Sequence, residues 1–155
     1  MAYYNTNPRR LSLLGHCSFG VKSMEVSEKF YNAVFASFGI TQVYRDQPVG
    51  ERAKVCGWGY PRDDGVDAEP FTLFENSEAA PHGAGTHLCF NAPSREAVDA
   101  FYAAAIENGG RGDGAPGLRL EIHENYYTCF VYDPEGHRLE ALYQWPVDDV
   151  ANQET

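Results

Sequence analysis

Hydrophobic residues in the first half of the chain change their spacing from a strand pattern to a helix pattern and back. Residues 11–21 form an apolar run interspersed with small residues, which is typical of a buried strand. The next segment carries apolar residues at every fourth position, which predicts a helix with one buried face. These residues are Val26, Phe30, Val34 and Phe38. Ser23 precedes them as the predicted N-cap, and Gly39 follows as the predicted helix end.

Three more strands are predicted in this half, and they are separated by segments rich in Asp, Gly and Pro. They lie at residues 40–45, 52–60 and 71–75. Residues 77–85 consist mainly of small residues and proline, which is typical of a linker. The first half is therefore predicted to run strand, helix and three strands.

The second half repeats this order. Strands are predicted at residues 86–92, 118–122, 126–132 and 137–145. A helix is predicted between Ser94 and Gly110, followed by a glycine-rich loop at residues 109–117. Residues 133–136 read Asp-Pro-Glu-Gly, which predicts a tight turn because Pro fixes φ and Gly accepts positive φ.

The two halves also match residue by residue at a constant offset of seventy-one positions. The eight identities pair His16 with His87, Phe19 with Phe90, Ser23 with Ser94, Glu25 with Glu96, Phe30 with Phe101, Tyr31 with Tyr102, Ala33 with Ala104 and Gly39 with Gly110. Unrelated segments of this length would share far fewer. We infer one structural unit written twice.

The predicted fold class is α+β, with two tandem βαβββ modules forming a U-shaped mixed sheet around a central cavity. The first module covers residues 11–76, the second covers residues 85–145, and residues 146–155 form a polar tail. A sheet with a helix on one face must fill or use its other face, and two such sheets curled together leave a concave interior. We expect a single domain.

Composition excludes several classes of function. The formal net charge is −10, which disfavours nucleic acid or an anionic membrane as a partner because both require a basic surface. No apolar run approaches the length of a membrane span, and the N-terminus lacks the apolar core of a signal peptide, so a cytoplasmic protein is expected. The four cysteines show no CxxC pairing and are interpreted as small buried residues.

Three residues are candidates for a metal site. His16 and His87 occupy equivalent positions in the first strands of the two modules, so pseudo-twofold symmetry could direct both rings to one point. Glu140 lies within an apolar strand, where a carboxylate is costly unless paired or ligated. Two imidazoles and one carboxylate suit non-haem Fe(II) and also Mn, Ni, Co or Zn. The alternative is that each His is a core histidine and that Glu140 pairs with an Arg.

The paired modules and three sequence motifs resemble those of a known protein family. The Phe-Tyr pair on each helix, residues 86–90 (THLCF) and residues 133–140 (DPEGHRLE) resemble the vicinal oxygen chelate superfamily. It includes glyoxalase I, extradiol dioxygenases, epimerases, fosfomycin-resistance proteins and bleomycin-binding proteins. The resemblance implies a divalent metal to which a substrate binds through neighbouring oxygens.

The family's ligand positions fall on His16, His87 and Glu140 of this chain. The fourth position is uncertain, because the constant offset selects Glu69 whereas alignment of the flanking strand selects Thr72, which is a poor ligand. We therefore expect three protein ligands, with Fe²⁺ favoured and Mn²⁺, Ni²⁺ or Zn²⁺ as alternatives. The resemblance also implies a homodimer, in some members with modules exchanged between chains.

The extradiol dioxygenase signature is matched in part. His123 stands at its histidine position, but Phe130 replaces its tyrosine, so we expect Tyr127 or Tyr126 to supply the hydroxyl. His123 and Tyr127 are the predicted catalytic residues, with a surface histidine as the alternative for His123. The expected function is a metal-dependent enzyme on a small oxygenated molecule, aromatic molecules included, and extradiol-type oxygenation is favoured. An isomerase or lyase of glyoxalase type, a fosfomycin-type transferase and a non-catalytic antibiotic-binding protein are the alternatives.

Overall fold

Each half of the chain folds into a mixed four-stranded sheet with a helix packed on one face. The computed structural model describes residues 15–46, 53–60 and 71–146. The first module comprises β1 (Cys17–Val21), α1 (Met24–Ala36), β2 (Thr41–Asp46), β3 (Val55–Gly59) and β4 (Phe71–Glu75). The second comprises β5 (Leu88–Asn91), α2 (Arg95–Glu107), β6 (Arg111–Leu118), β7 (Tyr127–Tyr132) and β8 (Arg138–Tyr143).

The two sheets have the same topology. Their strand orders are β1-β4-β3-β2 and β5-β8-β7-β6. In each sheet the first and last strands of the module pair in parallel, and the other neighbours are antiparallel. The predicted α+β class with two tandem βαβββ modules is therefore confirmed.

Both helices begin at the predicted N-caps. The hydroxyl of Ser23 accepts a hydrogen bond from the backbone N–H of Val26, and that of Ser94 accepts one from Ala97. Each satisfies one of the backbone donors that a helix leaves free in its first turn. Each helix has 13 residues. No helix in the described part of the chain is long and apolar enough to cross a bilayer.

The predicted buried stripe of α1 is only partly correct. Phe30, Val34 and Phe38 are buried, whereas Val26 is 47% exposed. Positions four residues apart drift by about 40° per step around an α-helix, so the first member of the series turns away from the face that the later ones share.

The prediction of a glycine-rich loop at residues 109–117 was wrong. Most of this segment is strand β6, and the predicted strand at residues 118–122 is instead mainly a turn. The register of β6 against β7 shifts between Gly112 and Gly114 and again between Gly114 and Gly117. Such bulges let a strand with many glycines and a proline pair with its neighbour, because the extra residues leave the ladder locally.

One hydrophobic core joins the two modules. Buried residues from both helices and both sheets form a single cluster. Phe35 of α1 meets Phe90 of β5 edge to face, and Phe38 stacks on Phe101 of α2. The helix-bearing face of each sheet therefore points into the shared core, and each sheet leaves its other face open.

The turn at residues 133–137 holds the second module against the first. One oxygen of Glu135 accepts hydrogen bonds from the backbone N–H groups of Lys22 and Ser23 at the start of α1. The His137 ring stacks on Phe19, and its Nε2 lies 3.0 Å from the carbonyl oxygen of Gly20. A carbonyl only accepts, so Nε2 carries the proton. The predicted tight turn is thus also an inter-module contact.

A buried hydrogen bond joins Tyr31 of α1 to Asp133 of this turn. The Tyr31 hydroxyl donates to Oδ2 at 2.8 Å, and the backbone N–H groups of His137 and Glu135 donate to Oδ1. Burial raises the pKa of Asp133 above its ordinary value, and the Tyr31 hydroxyl opposes this rise by stabilising the charged form.

Replacing Tyr31 with Phe is expected to destabilise the fold by about 2 kcal/mol at neutral pH, because a buried carboxylate loses a donor. A carboxyl whose folded-state pKa is raised favours folding below its unfolded-state pKa, and this contribution is lost as pH rises through the folded-state pKa. The variant should raise that pKa further. Its loss of stability should therefore be smallest where Asp133 is protonated and should grow towards neutral pH. Urea unfolding of both proteins across this range measures the difference, and an equal loss at every pH would contradict the explanation.

Candidate functional site

The centre of the candidate site is Glu140 on β8. Its side chain lies on the open face of the second sheet and is nevertheless only 2% exposed. One carboxylate oxygen, Oε2, lies 3.0 Å from Nε2 of His87, which immediately precedes β5. β5 and β8 are parallel neighbours, so the sheet itself brings these two residues together. The fold thus places two of the three residues predicted as metal ligands in contact.

Two hydroxyl groups hold the other oxygen of Glu140. Oε1 lies 3.0 Å from the Tyr126 hydroxyl and 2.8 Å from the Thr128 hydroxyl, and both can donate to it. The Thr128 hydroxyl is also 2.8 Å from the carbonyl of Ala141, and since it has one proton it donates to one acceptor at a time. Burial and the hydrogen bond to Glu140 raise the pKa of Tyr126 to about 12, so this phenol remains a donor at neutral pH.

Cys89 on β5 lies next to Glu140. It pairs in register with Glu140 and is exposed on the open face. Desolvation at the sheet surface and the adjacent Glu140 carboxylate raise the pKa of the Cys89 thiol above its ordinary value. The thiol is therefore protonated at neutral pH.

His16 and Thr72 lie on the open face of the first sheet. Both line a cavity of about 290 Å³, together with Ser18, Tyr44 and Phe74 among other residues. The β1–β4 register pairs Ser18 with Thr72, just as the β5–β8 register pairs Cys89 with Glu140. Thr72 is therefore the positional counterpart of Glu140. Glu69, the other candidate for a fourth ligand, lies outside the described residues.

The two predicted catalytic residues lie away from the His87–Glu140 contact. Tyr127 points to the helix side of the sheet, where its hydroxyl donates to Asp99 of α2 at 2.7 Å. His123 is exposed on the turn between β6 and β7, and its Nδ1 accepts a hydrogen bond from the backbone N–H of Asn125. Of the two tyrosines considered for the missing hydroxyl, it is Tyr126 that the structure brings to Glu140.

Several aromatic residues of the first module border a second cavity. Trp58, Tyr60 and Phe71 border a cavity of about 290 Å³ that also reaches His16 and Cys89. The cavity lies between β1 and β5, where the two modules meet. Trp58 and Phe71 belong to the buried shared core, so this aromatic wall lies on the helix-bearing side of the first sheet and not on its open face.

The donor atoms fit a divalent metal in part. An imidazole nitrogen and a carboxylate oxygen both suit Fe, Mn, Ni or Zn, and two ligand atoms in adjacent coordination positions lie about 3 Å apart, as Nε2 and Oε2 do here. In the described ranges, no three His, Cys, Asp or Glu side chains are grouped so that they could hold a metal ion. His87 and Glu140 are thus brought together, and His16 does not join them as a third member of such a group.

The arrangement of the two modules agrees with the comparison to known families. A family model described as the glyoxalase/bleomycin resistance protein/dioxygenase superfamily matches residues 13–141. The chain belongs to this superfamily. The resemblance inferred from the repeat and its motifs is therefore confirmed. Members of the superfamily include metal-dependent enzymes such as glyoxalase I as well as non-catalytic proteins.

Solved structures show the same fold. A glyoxalase/bleomycin resistance protein from Albidiferax ferrireducens T118 is 32% identical over 84% of this chain and 98% of that chain, with a TM-score of 0.66. The fosfomycin resistance protein FosX from Listeria monocytogenes is 16% identical over 91% and 99%, with a TM-score of 0.59. A glyoxalase I mutant from Zea mays is 20% identical over 83% of this chain and 45% of that chain, with a TM-score of 0.64. A search of the curated proteins finds no match.

The site contains residues that the sequence patterns did not single out. Thr128 reads as an ordinary strand residue, and only the β7–β8 pairing brings its hydroxyl to Glu140. The alternation of side chains along a strand could have indicated Thr128 as a site residue. Tyr126, Thr128 and Phe130 share one strand face, whereas Tyr127 and Cys129 share the other.

Proposed function

We propose that the protein is a divalent-metal-dependent enzyme that binds a small oxygenated substrate through two neighbouring oxygen atoms. The observation that carries this proposal is the contact between His87 and Glu140 on the open face of the second sheet. A carboxylate that is 2% exposed needs partners that compensate its lost hydration. Tyr126 and Thr128 donate to Oε1, and a metal ion held together with His87 would compensate Oε2.

In this proposal the third ligand is His16 from a second copy of the chain. The shared core leaves the open faces of the two sheets uncovered, with His16 on one and the His87–Glu140 pair on the other. A symmetric dimer can place the first sheet of one chain against the second sheet of the other and so close two equivalent sites. The partner's His16 would then face His87 and Glu140.

In this proposal the residues around the metal ligands have separate roles. When bound, the metal ion would supply Lewis acidity at the two substrate oxygens. Tyr126 and Thr128 fix the orientation of Glu140 through its Oε1, as outer hydrogen bonds commonly do for ligating carboxylates. His123 lies on the exposed turn three residues before Tyr126, and in this proposal its ring would accept a proton from a substrate hydroxyl and return it later. Tyr127, through Asp99, braces β7 against α2.

The reaction class favoured is extradiol-type oxygenation of an aromatic diol. Thr72 occupies the position in the first sheet that corresponds to Glu140, so this position supplies no second carboxylate. A proton transfer of glyoxalase type uses such a carboxylate as its base. Tyr44 and Phe74 line the cavity that contains His16 on the open face of the first sheet, and they would offer aromatic contacts to a ring substrate. Fe²⁺ is accordingly the favoured ion, with Mn²⁺, Ni²⁺ or Zn²⁺ as alternatives.

Elemental analysis of protein purified without chelator tests the proposal. About one metal per chain is expected in the wild type, and His16→Ala, His87→Ala and Glu140→Ala should each lose it. His82→Ala and Glu78→Ala, which change the same residue types at exposed positions outside the site, should retain it. Iron would support oxygenation, whereas zinc, nickel or manganese would favour isomerase or lyase chemistry. A wild type that holds no metal and takes up none of these ions would contradict the proposal and favour a non-catalytic binding protein.

A further inference from the structure

Beside the row of residues that contains Glu140, the open face of the second sheet carries a row of arginines. Across β6, β7 and β8, one row pairs Arg111 with Tyr132 and Tyr132 with Arg138. The next row pairs Gly114 with Phe130, Phe130 with Glu140 and Glu140 with Cys89. Residues two apart on a strand share a face and lie roughly 7 Å apart. The arginine row therefore adjoins the Glu140 row on the same face.

The guanidinium of Arg138 is held in place next to the candidate site. It lies over the Phe130 ring at 4.3 Å from the ring centre, and its Nε donates to Asp113 at 2.7 Å. The Phe130 ring also meets the His87 ring edge to face, at 5.8 Å between centroids. A single aromatic ring thus separates the guanidinium from the imidazole of the His87–Glu140 pair.

This guanidinium has unused donors. An arginine has five N–H groups, and within the described residues Arg138 makes its one hydrogen bond through Nε. The N–H groups on its two terminal nitrogens are the pair of donors that binds a carboxylate in parallel. Its side chain is 30% exposed, so an incoming ligand can reach it.

The charge distribution makes this position unusual for the protein. The chain has a formal net charge of −10, whereas this row contributes two arginines, each stacked on an aromatic ring. An exposed Arg–Asp pair contributes little to stability, so the row is poorly explained by folding alone. The guanidinium groups of this row offer hydrogen-bond donors to a small anion on an otherwise acidic chain.

From this juxtaposition we propose that Arg138 binds a carboxylate of the substrate, so that the substrate is an organic acid carrying a pair of neighbouring oxygens. The inference rests on the proposed function, because it takes the His87–Glu140 pair as the place where those two oxygens bind. Arg138 would set both the orientation of the substrate and the preference for acids over neutral analogues.

Binding of catechol and of 3,4-dihydroxybenzoate provides the test, since the two differ only in a carboxylate. Calorimetry with the metal-loaded protein should show that the wild type prefers 3,4-dihydroxybenzoate. Arg138→Gln should weaken its binding about tenfold to a hundredfold and leave catechol unchanged, because a hydrogen-bonded ion pair is lost. Arg45→Gln removes an arginine from a salt bridge in the other module and should change neither ligand.

Asp113→Asn separates recognition from a structural role. If Arg138 binds the ligand, removing its competing carboxylate should retain or strengthen the binding of 3,4-dihydroxybenzoate. If Asp113→Asn and Arg138→Gln weaken the binding of 3,4-dihydroxybenzoate equally, only the Arg138–Asp113 ion pair matters, and the inference is overturned. So would a wild type without preference for the acid, or an Arg138→Gln variant that weakens both ligands equally.

Binding of the two ligands can also be compared in metal-free protein, through the chemical-shift changes that each causes in NMR spectra. This measurement does not depend on the proposed metal site. A preference for the acid that disappears in Arg138→Gln supports the inference even if no metal binds, and no preference overturns it. Failure of the metal site itself would appear separately, as the absence of metal in the elemental analysis.

Discussion

Mixed dimers of His16→Ala and Glu140→Ala subunits should regain metal binding that neither variant shows alone. If each site takes His16 from one chain and the His87–Glu140 pair from the other, a mixed dimer contains one site with both defects and one site with none. Differently tagged subunits, co-expressed and purified through both tags, should therefore hold half as much metal per chain as the wild type. Elemental analysis of the purified mixed dimer measures this.

A matched control is the mixed dimer of His87→Ala with Glu140→Ala. These two residues are neighbours in one chain, at 3.0 Å between their nearest atoms, so every site in that mixed dimer lacks one of them. No metal should return. If the His16→Ala and Glu140→Ala mixture also stays empty while the wild type binds metal, all ligands come from one chain and the exchange of ligands between chains is contradicted. A protein that is monomeric by light scattering when metal-loaded would contradict it as well.

Gly110→Ala should be among the most destabilising single substitutions in the chain, at about 3 kcal/mol. A Cβ at this position would lie 2.8 Å from the carbonyl oxygen of Ala105, 2.9 Å from that of Tyr132 and 2.9 Å from the Phe30 ring. Two of these neighbours are backbone atoms, which cannot move without shifting the end of α2 or strand β7. Gly110 also donates its N–H to Ala105, so the chain cannot simply swing away. Urea unfolding should show a lower midpoint concentration, and the dependence of the unfolding free energy on urea concentration should stay unchanged.

Substitutions at two other glycines distinguish the steric cost of an added Cβ from the cost of a left-handed backbone conformation. At Gly83 an added Cβ meets nothing within 4 Å, so Gly83→Ala should change stability little. At Gly109, φ is 91° and the nearest atom is 3.8 Å away, so Gly109→Ala isolates the cost of the left-handed conformation, about 1 kcal/mol. A loss in Gly110→Ala no larger than that in Gly109→Ala would contradict the packing explanation.

The candidate site was predicted from the sequence where a repeat or a motif carried the signal. His87 and Glu140 were found because one repeats His16 and the other stands in an apolar strand, and the structure brings them into contact. The choice of Tyr127 over Tyr126 could not be settled by motif spacing, because adjacent strand residues face opposite sides and one residue of register reverses them. Arg138 lies within the motif at residues 133–140, but its contacts with Phe130 and Asp113 were not predicted, since they depend on pairing with β7 and β6.

The sequence by itself determined the local elements and their repetition. Helix caps, tight turns and apolar periodicity are set by neighbouring residues, so Ser23 and Ser94 and the order of strands and helices were predicted correctly. Tertiary structure decided what depends on partners distant in the chain. The glycine-rich segment became β6 because β7 offers its hydrogen bonds, and the turn at residues 133–137 fastened the modules because α1 presents free N–H groups to Glu135. Such partners are brought together by the burial of one common core, which no local pattern specifies.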